Sequence, residues 1–258
     1  METTPAFTAG QYVGDDLWVP VLDGGTRQYV DLDTAATSSA SVAVNRAVQE
    51  FLPWYASVHR GAGIRSQVTS ARYEEARDVL VRFVGGDPAT HLALFPRNTT
   101  EALNLLAYRL GLTKSDVVVT TEVEHHANLL PWARYAQLRT VAVDERGTFD
   151  VAAVEAALDQ SPRPRVLAIS GGSNVTGWLP DLRAIGAAAR QRGVLVVVDG
   201  AQLVPHRPVD ITALGVDVIA FSGHKMYAPF GAGALIAPRA LLATGEPFLV
   251  GGGAVQAV

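Results

Sequence analysis

Five groups of polar residues, each just after a short apolar run, could do chemistry. Ser222-Gly-His-Lys225 follows the run at 217–221. A lysine in a glycine-containing turn after a buried strand can act as an amine nucleophile where burial and a nearby cationic ring favour its neutral form. A solvated loop lysine is the plain alternative. Ser222 and His224 beside it offer hydroxyl and imidazole donors suited to phosphate. Asp199-Gly-Ala-Gln202 follows the run at 194–198. An acid at such a tip is costly to bury without a partner, and a protonated pyridine nitrogen would be one. Helix capping or metal ligation are its other possible roles. Gln202 could donate its amide hydrogens to a ring oxygen.

The remaining groups are weaker alone. After 92–95 comes Pro-Arg97-Asn98-Thr99-Thr100-Glu101, where Asn98 and Glu101 have capping-box spacing. Exposed amides and the Thr99 and Thr100 hydroxyls make an anion site there. Capping alone also explains Asn98 and Glu101, and no Gly-Lys-Ser/Thr follows to complete a nucleotide loop. The run at 116–120 leads into Glu122-Val-Glu124-His125-His126-Ala-Asn128. Neighbouring side chains diverge and no third clustered ligand or His-Glu-x-x-His spacing occurs, so no metal site is expected. An imidazole stacked on a planar ring is the alternative. The run at 165–170 leads into Gly171-Gly-Ser-Asn174-Val-Thr-Gly177, which lacks the Gly-x-Ser-x-Gly of a nucleophile elbow. Its glycines permit close backbone approach to a ligand, and Asn174 can donate or accept.

The apolar runs at 92–95, 116–120, 165–170, 194–198, 217–221 and 233–236 have the length and Val/Ile content of strands buried on both faces. Helical patterns lie at 42–58, 67–83, 99–110, 130–138, 151–158 and 182–192. The alternation predicts an α/β fold, a mainly parallel sheet with helices on both faces. Ligands of such sheets sit beyond the carboxyl ends of the strands, where all five groups would meet. They supply a phosphate site, an acid for a ring nitrogen, an amide for a ring oxygen, a stacking ring and an amine. That inventory suits pyridoxal 5'-phosphate (PLP) better than a nucleotide cofactor. Residues 1–30 read as an N-terminal arm, 31–245 as a large cofactor-binding domain, and 246–258 as a link towards a further domain.

Composition narrows the classes. With 48% hydrophobic and 18% charged residues, the 258-residue chain can bury a large core. A net charge of −4 with scattered Lys and Arg argues against nucleic acid or an anionic membrane as partner. No apolar stretch has membrane-spanning length, and residues 1–10 carry no secretion signal, so a cytoplasmic protein is expected. The absence of cysteine excludes disulfides, thiolate metal sites and a cysteine nucleophile within these residues.

Taken together, the motifs resemble a known superfamily. Glu124-His-His-Ala-Asn-Leu-Leu-Pro-Trp132, Ser173-Asn-Val-Thr-Gly177, Asp199-Gly-Ala-Gln202 with Pro205-His206, and Ser222-Gly-His-Lys225 look like the class V aminotransferases. The nearest match is the cysteine desulfurase and selenocysteine lyase group, which residues 29–37 and 58–61 also resemble. The resemblance implies Lys225 as the Schiff-base lysine and His125 as the ring-stacking residue. It puts Asp199 on the pyridine nitrogen, Gln202 on the phenolic oxygen, and Thr99, Thr100, Ser222 and His224 on the phosphate. Asn174, His59 and the Ala35-Ala36 turn would lie near an amino-acid substrate. A homodimer and a sulfur-acceptor protein are implied as partners. The same group carries a sulfur-accepting cysteine, a carboxylate-binding arginine and a small domain further towards the C-terminus. This chain is expected to lack them. A PLP-dependent C–S lyase, epimerase or aminotransferase of secondary metabolism, or an inactive fragment, are the competing expectations.

Overall fold

The structure is a computed structural model that describes residues 10–243 and 245–251. Residues 1–9 of the expected arm and 252–258 of the expected link lie outside the described residues. The chain divides into two units, one formed by the residues before 74 with 223–232, the other by 74–222 with the residues from 233 onward.

In the first unit β1 (Trp18–Pro20) pairs antiparallel with β2 (Thr26–Gln28) inside the expected irregular arm. Helix α1 (Val42–Phe51) stops earlier than the 42–58 pattern predicts. Pro53 lacks an N–H and clashes with the preceding turn, so residues 52–54 tighten into a 3-10 turn. Helix α2 (Ile64–Phe83) starts three residues before the predicted 67–83 and runs on into the second unit.

The second unit is built on a seven-stranded sheet. Its strands are β3 (His91–Leu94), β4 (Val117–Thr121), β5 (Gln137–Val141), β6 (Val166–Ser170), β7 (Leu195–Asp199), β8 (Val218–Ser222) and β9 (Gly233–Pro238). The order is β3-β9-β8-β7-β6-β4-β5, and only β9 runs against its neighbours. Six strands therefore bring their carboxyl ends to one edge. Between them run α3 (Thr99–Arg109), α4 (Leu130–Tyr135), α5 (Val151–Asp159), α6 (Leu182–Gln191) and the single turns α7 (Leu203–His206) and α8 (Ile211–Leu214), with α9 (Arg239–Leu242) after β9. The expected helix at 130–138 is a helix and a strand. Ala136 turns extended, and Gln137–Val141 form an edge strand whose Arg139 binds the carbonyls of Ala157, Gln160 and Pro162.

One face of the sheet packs Val118, Val166, Ala168, Val197, Val218 and Ala220 against Leu103 and Leu106 of α3 and Trp132 of α4, all buried. Each large buried side chain contributes roughly 1.5–3 kcal/mol of transfer free energy. Side chains alternate along a strand, so Thr120, Ser170, Asp199 and Ser222, each two residues on, share this face. The apolar face thus ends in a polar row at the strand tips. Among the described residues no helix is long and apolar enough to cross a membrane.

Candidate active site

Asp199 ends β7, opposite Ser170 of β6 and Ala220 of β8, and is only 6% exposed. Its Oδ1 accepts the Ala201 amide at 2.9 Å. Gly200 is required next to it: a Cβ there would meet Ile219 at 2.9 Å and Val204 at 3.0 Å. The half-buried Gln202 follows on the same turn, so the acid and the amide share one rigid corner.

Ser222 ends β8, and its Oγ accepts the Thr99 amide at 2.8 Å and pairs with the Thr99 hydroxyl at 2.7 Å. Both side chains are buried. They tie β8 to the first turn of α3, where Asn98 caps the Glu101 amide at 2.9 Å and Thr100 is exposed. The Arg97 guanidinium binds Glu101 and holds its carboxyl below the usual range. Gly233, which carried no role in the sequence reading, lets this turn sit where it does. Its amide donates to Pro96 at 2.8 Å, and a Cβ on it would stand 2.9–3.1 Å from the Asn98 backbone.

The β4–α4 loop is organised by Glu124, another residue to which the sequence reading gave no role. Its carboxylate accepts from the Thr121 hydroxyl at 2.8 Å, the Asn128 amide at 2.7 Å, and the Ser170 amide and hydroxyl at 3.0 and 2.6 Å. Asn128 accepts in turn from the Trp132 indole at 3.1 Å. Burial pushes the Glu124 carboxyl up, against the pull of its donors. No local spacing rule marks it, because Glu124 lies outside the 3-10 turn His126–Asn128 and its partner Ser170 is 46 residues away. The network joins the loop to the tip of β6. It leaves His125 exposed beside it, with its Nδ1 accepting the Ala127 amide at 3.1 Å, which puts the ring proton on Nε2. The His125 and His126 rings are 6.4 Å apart and tilted 48°, and among the described residues no group of three His, Cys, Asp or Glu could hold a metal. Asn174 is exposed in a turn closed by Ser173, whose Oγ accepts the Val175 and Thr176 amides.

The other candidate residues belong to the first unit. Lys225 ends a 3-10 turn (Gly223–Lys225) in the connection between β8 and β9, and is half-buried. Burial, then the Lys225 charge, push the neighbouring His224 imidazole down. The His224 carbonyl and ring bind Thr37 and Ser38. The exposed Ala35-Ala36 turn, closed by the Ala36 amide on Asp33 at 3.0 Å, immediately precedes them. His59 adopts φ 57°, gives its amide to Ser70 at 2.7 Å and stands edge-on to Tyr73.

The residues present fit a phosphorylated pyridine. Asp199 is a buried acid at a strand tip beside the amide of Gln202, and a helix start lined with hydroxyls lies along the same sheet edge.

Comparison with known proteins points the same way. Residues 30–258 match the family described as aminotransferase class-V. A protein of Mycobacterium leprae named "Probable cysteine desulfurase 2" is 42% identical over 252 residues, 92% of this chain and 59% of that protein. A cysteine desulfurase of Haloferax volcanii is 38% identical over 256 residues, 95% of this chain and 60% of its own. The apo structure of a cysteine desulfurase from Thermococcus onnurineus superposes with a TM-score of 0.78 at 35% identity, covering 86% of this chain and 56% of that one. The chain thus spans about 59% of the length of the first of these relatives. With its sheet order, its strand-tip residues and this match, the chain belongs to the class-V aminotransferase family of PLP-dependent enzymes.

Proposed function

We propose that the chain binds PLP through Lys225 and acts on an amino acid, removing sulfur or selenium from cysteine or a selenium analogue. The observation that carries this is Asp199: a buried acid at the tip of β7, in the polar row that ends an apolar face. A carboxylate at that place is complementary to a pyridinium nitrogen and would favour its protonated form. In this reading Gln202 donates to the phenolic oxygen and His125 stacks on the ring. Thr99, Thr100, Ser222 and His224 hold the phosphate, the first two at the N-terminus of α3. Asn174, His59 and the Ala35-Ala36 turn contact the substrate.

Bound in this way, the cofactor supplies an electron sink for the bond broken at the substrate's α-carbon. The chain's own share is orientation and proton handling. Asp199 would keep the ring nitrogen protonated, His125 would fix the ring plane, and the Lys225 amine would hold and move a proton at the substrate's α-carbon. Relatives named cysteine desulfurase support cysteine as substrate. Family precedent supports a homodimer, a protein that accepts the sulfur and a cytoplasmic setting. With no cysteine among these 258 residues, sulfur would pass to a thiol outside them.

Product analysis tests the reading. Supplied with PLP, L-cysteine and dithiothreitol, the chain should release alanine and sulfide in equal amounts, and Lys225→Ala should release neither. Pyruvate and ammonia in place of alanine would instead identify a C–S lyase. No product from a chain that has bound PLP would refute turnover by these residues.

A further inference from the structure

The lysine-bearing connection is not held by the sheet edge alone. Within the first unit, the His224 carbonyl accepts three bonds: from the Ser38 amide at 2.9 Å, the Ser38 hydroxyl at 3.0 Å and the Thr37 hydroxyl at 3.1 Å. The His224 Nδ1 also meets the Thr37 hydroxyl at 3.0 Å. Two residues past Lys225, the Tyr227 amide donates to the Ser38 hydroxyl at 2.9 Å, and its carbonyl accepts the Ser41 amide at 2.8 Å. The Tyr227 ring lies 5.0 Å from that of Tyr12. Lys225 is thus bracketed on both sides by one short segment.

The loop is also strained. Tyr227 and Phe230 take φ of 62° and 66°, a region that side-chain-bearing residues avoid, and such backbone persists only where its surroundings over-determine it. The bonds to residues 37–41 are those surroundings for Tyr227. Ser38 is central, because its hydroxyl both donates to the residue before Lys225 and accepts from the residue two after it.

We propose that Ser38, assisted by Thr37, is the positioning residue for Lys225. The pair fixes the backbone on either side of the lysine and so sets where its amine stands. This rests on the reading of Lys225 as the cofactor lysine, and it adds a physical link. The segment that positions the amine is continuous with the Ala35-Ala36 turn proposed to meet substrate.

The chain holds only two lysines, Lys114 and Lys225, so labelling separates this claim from the reading beneath it. The chain without cofactor is acylated briefly with acetic anhydride, and the Lys225 to Lys114 labelling ratio is read by peptide mass spectrometry. The exposed Lys114 serves as internal reference. Separately, the fraction of Lys225 trapped by borohydride with PLP is measured. Ser38→Ala should change the labelling ratio at least about threefold and lower the trapped fraction similarly, the order of one or two lost hydrogen bonds. Ser38→Thr, which keeps the hydroxyl, should restore both. Thr37→Val, with all three Ser38 bonds intact, should give a smaller change in the same direction, and it decides the matter if Ser38→Ala does not fold. Wild-type values for both measurements in Ser38→Ala or, failing that, in Thr37→Val would overturn the proposal. Absence of trapping in the wild type would refute the cofactor role of Lys225, while the labelling ratio would still decide the positioning role of Ser38.

Discussion

Beside the tips of β4, β6 and β8, two buried polar groups are answered by side chains that are buried or half-buried: Glu124 by Thr121, Asn128 and Ser170, and Thr99 by Ser222. Around Lys225 the pattern is reversed. Its neighbours are half-exposed, and their bonds run through backbone groups of His224 and Tyr227 to the hydroxyls and amides of residues 37–41. Buried side-chain networks are costly to break and hold one geometry, whereas exposed backbone clamps yield at lower cost. The contrast suits the proposed function. Under the proposed function, groups that would hold a cofactor ring stay still, while the lysine that would bind it is given room to move.

Glu124 offers the largest test of the rigid half. Glu124→Ala should cost about 3 kcal/mol or more in urea unfolding, because it orphans the buried Asn128 and Ser170 donors. Glu124→Gln should not rescue it fully. One amide orientation sets an NH2 against the Asn128 NH2, the other against the Ser170 N–H, and Asn128 cannot flip without losing Trp132. Burial raises the Glu124 carboxyl above the ordinary glutamate range, so the folded chain holds that proton more tightly than the unfolded one. The linked stability is full below the ordinary glutamate value and is lost as pH rises through the raised one. Across that window the urea midpoint of Glu124→Gln should depend on pH less steeply than that of the wild type.

Gly233→Ala comes next. Its Cβ would press the Asn98 backbone, so about 2 kcal/mol of destabilisation and weaker phosphate binding are expected, read by thermal melting and by PLP titration. Ser222→Ala strips the Thr99 amide of its acceptor and should cost about 1.5 kcal/mol by the same melts. The smallest effect has the opposite sign. Thr120 is fully buried, and among the described residues its hydroxyl finds no partner. Thr120→Val should therefore stabilise by up to about 1 kcal/mol, leaving PLP affinity unchanged. If Gly233→Ala weakens phosphate binding no more than Thr120→Val does, the α3 start is not the phosphate site.

Much of the rigid half is legible in the sequence, because apolar runs mark buried strands and the polar residue after each run marks a tip. Asp199 and Ser222 stand where that rule puts them, as the last residues of β7 and β8. Strand β5 escapes because Gln137, Arg139 and Thr140 break its apolar run, as an edge position allows, and because it follows a helix of only six residues. Glu124 sits inside a recognisable motif, yet its role depends on Ser170, 46 residues away. The clamp on the lysine loop is less visible still. Ser38 and Tyr227 are 189 residues apart, and the partner atoms at His224 and Tyr227 are largely backbone groups that every residue type carries.

The central claim is that Lys225 carries the cofactor, and the two-lysine composition makes it directly measurable. The chain is incubated with PLP, reduced with borohydride, digested and mapped. One reduced pyridoxyl group per chain, confined to the peptide containing Lys225 and absent in Lys225→Ala, is the predicted result. An adduct distributed between Lys225 and Lys114, or absent from Lys225, would contradict the account.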